Sequence, residues 1–304
     1  MTTLSQRHVP TDTLWSRGGS IARLPLRMFR ARYIFGAFLA IVVLAAIFAP
    51  LITPYDPNAQ DLVNRLTPPA WQHGGTMSHV FGTDELGRDM LARVIYGART
   101  SVMIGAVVVA IGAVAGTLCG LLAGFRGGWV DTLVMRIVDI QFTFPALLMA
   151  MAMVFALGAS TKTIIIALSV DAWLPYCRLG RSMVLSVRKT TYVEAARTIG
   201  CRNSRVVRRH VLPNVASPLI TLAVLEFARI VLAESTLSFL GLGIQPPEVS
   251  WGLMLNSGED YLTVAWWLIG IPGVFLTLTV LSANVVASWL RVIADPLQKA
   301  DVRR

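Results

Sequence analysis

The sequence predicts an all-α integral membrane protein with about six transmembrane helices and both termini in the cytoplasm. Three observations carry that prediction. Hydrophobic residues make up 55% of the 304-residue chain and charged residues only 14%, with mean hydropathy +0.62, whereas soluble domains are about 25% charged. The apolar residues fall in long blocks, several of which reach the roughly 20 residues that a hydrocarbon core about 30 Å thick requires. The basic residues between the blocks are distributed very unevenly.

In chain order, residues 1–32 read as a cytoplasmic tail, polar and rich in Pro, Ser and Gly at first, then rich in arginine. The first span, Ile34 to Ile52, stops before Pro54. It is too long and too poorly placed for a cleaved signal peptide and reads as a retained anchor. The second span runs from Ser101 to Gly124, the third from Val134 to Leu157 and the fourth from Thr163 to Cys177. The fifth covers Ala216 to Ala233 and the sixth Trp266 to Leu290. The membrane domain is thus residues 33–296, followed by a cytoplasmic tail, residues 297–304.

Orientation follows from lysine and arginine. With the N-terminus inside, 21 of them lie on the cytoplasmic side and five outside, while Arg229 falls within a span. Positive charge is retained in the cytoplasm during insertion, so this bias sets the topology. It also accounts for the net charge of +10 without nucleic acid, for which no basic face with interleaved exposed aromatics is visible.

The second span carries glycine at 112, 116, 120 and 124. This four-residue period lines one helix face and lets another helix approach closely. Two external segments, from Pro54 to about Thr100 and from Ser235 to Ala265, exceed simple hairpins. The second contains Gly241, Gly243, Pro246, Pro247, Trp251 and Gly252, a mixture that reads as a short, partly embedded element rather than a seventh span. Cys119, Cys177 and Cys201 form neither a CxxC pair nor an even set, so no disulfide framework or zinc site is expected.

Ionisable residues inside a bilayer are costly and usually face a bundle interior or an aqueous pathway. Asp139, Asp171, Glu226 and Arg229 lie within or near spans. Glu226 and Arg229, three apart, can pair on one helix face. Asp139 sits near a cytoplasmic end, where it reaches water. Asp171 has no basic neighbour a turn away and is a candidate for a polar cavity. Asp171, Glu226 and Arg229 are the pathway candidates.

Between spans four and five lies Thr191-Tyr192-Val193-Glu194-Ala195-Ala196-Arg197-Thr198-Ile199-Gly200. Thr191 and Glu194 form a capping box, Ala195 and Ala196 favour helix with little bulk, and Gly200 suits the left-handed helix stop. The spacing predicts a short, rigid, exposed cytoplasmic helix. Leu212 and Pro213 come next, leading into the fifth span.

The order Glu-Ala-Ala, Gly and later Leu-Pro resembles the EAA loop of bacterial ATP-binding-cassette importer permeases. Phe81-Gly82-Thr83-Asp84-Glu85-Leu86-Gly87-Arg88-Asp89, and the stretch from Glu234 through Ser238 and Gly243 to Pro247, are similar to segments of the C-type permease of dipeptide, oligopeptide and nickel importers. The resemblance covers about Tyr33 to Pro296. It departs at Asp171, where a small or neutral residue is expected.

The resemblance implies a permease subunit forming half of a pathway for di- or oligopeptides, or for nickel or another small solute, in a multi-pass bacterial cytoplasmic membrane protein. It implies as partners a second homologous permease, two ATPase subunits and an extracytoplasmic substrate-binding protein. Thr191, Tyr192, Glu194, Ala195, Ala196, Gly200, Leu212 and Pro213 would couple to the ATPases. Asp84, Gly87, Arg88 and Asp89 would serve external docking or gating. ATP and magnesium are expected in the partner subunits, with no cofactor or metal on this chain.

Two other classes compete. A membrane enzyme finds no support: HExxH and GxSxG are missing, and Gly158-Ala159-Ser160-Thr161-Lys162-Thr163 has threonine where a phosphate-binding loop needs glycine before lysine. An ion-coupled secondary transporter would need a relay, for which Asp171 with Glu226 is the one candidate pair. It gives the capped cytoplasmic helix no use.

Overall fold

A computed structural model describes residues 26–188, 190–191 and 212–294. Among these residues all regular structure is helical, apart from one isolated bridge between Thr83 and Asp89.

The first apolar block forms α1 (Leu26–Ile47), a break at Phe48 and then the short α2 (Ala49–Ile52), which carries Pro50 in its first turn. A proline there costs nothing, because its missing amide would have no intrahelical partner. Next comes α3 (Met90–Arg126), which begins eleven residues before the predicted second span. The added turns belong to the segment read as external, from Pro54 to about Thr100. Asp89 starts the helix by accepting a hydrogen bond from the Ala92 amide at 2.8 Å, and Gly127, at φ 63°, ends it.

The third predicted span is broken. It forms α4 (Gly128–Phe142) and α5 (Ala146–Leu157), which meet at 85°. Pro145 supplies no amide to a continuing helix and biases Phe144 away from helical geometry, so the apolar run turns where a hydropathy reading passes straight through.

The fourth span, predicted to end at Cys177, continues as α6 (Thr161–Val187). The polar residues beyond Cys177 stay helical because Arg178 and Arg181 find carboxylates on α4. Arg178 donates to Asp139 at 2.7 Å, and Arg181 holds Asp131 through two bonds, one of them from Nη2 at 2.7 Å. Asp139, read as reaching water, is paired with Arg178, and its side chain is 60% exposed. The remaining elements are α7 (Leu212–Phe239), α8 (Trp251–Gly258) and α9 (Trp267–Ala294).

Among the described residues three helices, α3, α7 and α9, are long and apolar enough to cross a membrane by length and composition; the α4–α5 pair makes four if counted as one broken span. The apolar part of α1, Arg32–Ile47, is shorter, and the run in α6 is interrupted by Asp171, Pro175 and Arg178.

The main packing contact joins α3 to α6, and the glycine face makes it. A Cβ at Gly112 would lie 2.7 Å from the Ala172 carbonyl oxygen, one at Gly116 2.1 Å from that of Trp173, and one at Gly120 2.3 Å from that of Cys177. The expected seam therefore lies within the subunit, backbone against backbone. In lipid, such close packing replaces the hydrophobic drive available in water.

The segments expected on the external side are latched to the bundle by two buried indoles. Trp251, at the start of α8, donates to the Val94 carbonyl at 3.0 Å, and Trp267 on α9 donates to that of Thr83 at 3.0 Å. Both rings pack with Met90, Val94, Ala98 and Val231 in one cluster. The expected short element between spans five and six is thus α8, with Trp251, Gly252, Leu253, Met254 and Gly258 buried.

Candidate functional site

The packing of α6 against α7 assembles a charged group that neither helix shows alone. Arg229 on α7 donates from Nε to Glu226 at 2.8 Å, one turn earlier on the same helix, and from Nη1 to Asp171 on α6 at 2.7 Å. The Glu226–Arg229 pair follows from its spacing. The partner of Asp171 lies 58 residues away, a relation that no local pattern reveals. The side chains of Asp171 and Glu226 are 16% and 10% exposed, that of Arg229 39%. Two carboxylates and one guanidinium leave a formal charge of −1.

Asp171 and Arg229 line a cavity of about 270 Å³ together with Ala146 and Leu147 of α5, Leu168 of α6 and Thr236 of α7. The rest of the lining is mostly aliphatic. Charged groups on such a wall interact more strongly than in water, because the surrounding medium screens them less. The break before Ala146 places the start of α5 at the cavity, so the kinked third span and the charged group share one site.

The C-terminal end of α6 is tied to its neighbours. Arg188 donates to the Gly124 carbonyl of α3 at 3.2 Å, and Thr190 donates to the Val187 carbonyl at 2.6 Å. Leu121, Val184, Val187 and Val215 pack beneath these residues, joining α3, α6 and α7. Thr191, exposed, is the last described residue here; Tyr192, Glu194, Ala195, Ala196 and Gly200 lie outside the described residues. Leu212 and Pro213 open α7.

The four external candidates form a buried knot. The Asp84 carboxylate accepts from the amides of Leu86 and Arg88, both at 2.9 Å, and from Arg88 Nε at 2.6 Å, and it pairs with Arg93 Nε at 3.2 Å. Asp89, besides capping α3, meets His79 Nδ1 at 2.9 Å. Gly87 has φ 75°, and a Cβ there would sit 1.7 Å from the Asp61 carbonyl oxygen, so both conformation and space require glycine. Burial, reinforced by the neighbouring Asp84, pushes the Glu85 carboxyl above the usual carboxylate range, opposed by Arg88. Burial leaves Asp84 and Asp89 at 3% and 5% exposure, which gives them a structural task at the head of α3.

Sequence reasoning passed over Glu234. It is fully buried and accepts hydrogen bonds from Ser101 of α3 and Ser238 of α7, both at 2.8 Å. The available signal was a glutamate closing an apolar span with serines one and four residues on. Among the described residues no three His, Cys, Asp or Glu side chains are placed to hold a metal ion.

Residues 116–299 match the family described as the binding-protein-dependent transport system inner membrane component, and residues 25–69 match the N-terminal TM domain of oligopeptide transport permease C. The chain is 43% identical over 262 residues to the Di/tripeptide transport system permease protein DppC of Pseudomonas aeruginosa, covering 86% of each chain. It is 39% identical over 258 residues, 85% of this chain and 85% of the other, to the probable D,D-dipeptide transport system permease protein DdpC of Escherichia coli. Among solved structures it resembles an inward-facing MetNI methionine ABC transporter chain, with a TM-score of 0.56 and 18% identity over 68% of this chain and 98% of that one.

Proposed function

The chain belongs to the binding-protein-dependent transport system inner membrane component family, and we propose that this ATP-binding-cassette permease subunit forms half of a pathway for di- or oligopeptides across the bacterial cytoplasmic membrane. The peptide substrate rests on the names of relatives that match over 85–86% of this chain. The C-type assignment draws support from the match to the N-terminal domain of oligopeptide permease C.

The carrying observation is that α6 and α7, which flank residues 188–211, are joined at the cavity by the Asp171–Arg229 bridge. A push delivered to the segment between them would reach both cavity walls at once. In this reading Thr191, Glu194, Ala195, Ala196 and Gly200 form the coupling helix, with Tyr192 beside them. It docks on an ATPase subunit, and Leu212 and Pro213 carry its movement into α7. The anchoring of Arg188 to Gly124 supports the same direction of transfer, because it fixes the segment's first residue to α3.

The assembly comprises this chain, a second homologous permease, two ATPase subunits that hold ATP and magnesium, and an extracytoplasmic binding protein that delivers the peptide. Six crossings with both termini inside fit the basic-residue bias. α3, α7 and α9 have the length and composition for three of them, and the kinked α4–α5 pair, counted as one span, for a fourth. The remaining two are α1 and α6.

The test is Glu194→Lys in the intact importer. It removes the capping carboxylate and reverses the docking charge. Peptide uptake and substrate-stimulated ATP hydrolysis should both fall at least about ten-fold at normal membrane abundance. Wild-type values for both would overturn the coupling assignment.

A further inference from the structure

Helices α1 and α9 leave between them an open groove of about 630 Å³, lined almost entirely by apolar atoms. Its floor is made of small residues, Gly36, Ala37 and Ala40. A Cβ added at Gly36 would touch only Val286, at 4.0 Å, so nothing among the described residues fills the space. Val42 and Ala46, on the neighbouring face of α1, are buried in the bundle. The groove is therefore the lipid-side flank of a helix that is already packed.

One end of the groove differs from the rest. The Arg32 guanidinium lies 4.8 Å from the ring centre of Tyr33 and 5.8 Å from that of Trp289, and it donates to the Tyr33 hydroxyl at 3.1 Å. Tyrosine and tryptophan collect at the level of lipid headgroups. From Arg32 to Leu44, the residues that bound the groove on α1, twelve residues of helix rise about 18 Å. Half of a hydrocarbon core about 30 Å thick is about 15 Å, so the groove matches the depth of one leaflet. Arg27 and Arg30 precede Arg32 in the sequence, and the basic-residue bias puts this end on the cytoplasmic side.

We propose that the α1–α9 groove is a binding site for one anionic phospholipid of the cytoplasmic leaflet, its phosphate at Arg32 and one acyl chain along Gly36, Ala40 and Leu44. A cation beside paired aromatics at the mouth of an apolar channel complements a phosphodiester joined to a hydrocarbon tail. Basic pockets between membrane helices on this side recognise acidic headgroups in the same manner. The proposal does not depend on what the importer carries.

The experiment is native mass spectrometry of the intact importer complex, purified from nanodiscs made of equal parts phosphatidylglycerol and phosphatidylcholine. Wild type should retain one phosphatidylglycerol per copy of this chain in preference to phosphatidylcholine. Arg32→Gln should lower that preference about five-fold, the loss expected for one basic group at a membrane surface. Ala40→Phe, which fills the groove at a lipid-exposed position, should abolish retention of both lipids. Equal retention of the two lipids by wild type, an unchanged preference in Arg32→Gln, or unchanged retention in Ala40→Phe would each overturn the proposal. So would a crosslink from Ala40→Cys to another subunit of the complex.

Discussion

Arg229 on α7 and Asp171 on α6 are joined by a 2.7 Å hydrogen bond across 58 residues of sequence, while the same guanidinium holds Glu226 at 2.8 Å. The bridge ties together the two helices that emerge from residues 188–211, and it lies on the wall of the cavity. Intramembrane charges persist when they are paired or serve a pathway; this group is paired.

Removal of the cation should therefore cost more than removal of one anion. Arg229→Gln leaves two carboxylates facing each other and should destabilise the subunit by about 1–3 kcal/mol, below the loss for a fully buried pair because Arg229 is partly exposed. Asp171→Asn leaves Glu226 and Arg229 paired and should cost less than about 1 kcal/mol. Thermal unfolding of the purified importer checks the order, and equal losses in the two variants would contradict the shared pairing.

The α3–α6 seam makes a sharper prediction. Gly116→Ala must open a backbone contact that a Cβ would enter at 2.1 Å, whereas at Gly36, also inside a helix, a Cβ meets only Val286, at 4.0 Å. Overpacking of the seam should cost about 1–3 kcal/mol or more. At Gly36 the added methyl favours the helix by up to about 1 kcal/mol. Membrane abundance and melting temperature should fall further for Gly116→Ala than for Gly36→Ala. The reverse order would show that the helices do not meet there.

Much of this was legible in the residues. The four-residue glycine period announced a close helix contact. The EAA-like segment gave the family. Two features were not legible, each for a physical reason. Hydropathy counts apolar area and takes little account of one proline, so the 85° turn before Ala146 was read as a straight span. Asp171 looked unpartnered because its counterion comes from another helix, and pairing at a distance leaves no local spacing to read. Asp84, Arg88 and Asp89, read with Gly87 for external docking or gating, carry ion pairs at the head of α3, and the spacing of a charge run does not name all such partners.

That knot has a pH signature. Burial, with Asp84 adding to it, holds the Glu85 carboxyl above its ordinary value of 4.5 in the folded protein. The folded state then binds the proton more tightly than the unfolded state, so stability is greatest below the unfolded value and declines as pH rises through the folded one. Melting temperature monitored by tryptophan fluorescence should drop across this window, starting at about pH 4.5, more in wild type than in Glu85→Gln. Parallel profiles would show that Glu85 ionises without penalty.

The central claim is that this chain works as one permease among several different subunits, and purification of the tagged chain in mild detergent tests it directly. Mass spectrometry of the eluate should find a second homologous permease and ATPase subunits in fixed proportion, with ATP hydrolysis in the same fraction. Recovery of this chain as a lone homo-oligomer that still carries peptide across a vesicle membrane, without hydrolysing ATP, would contradict it.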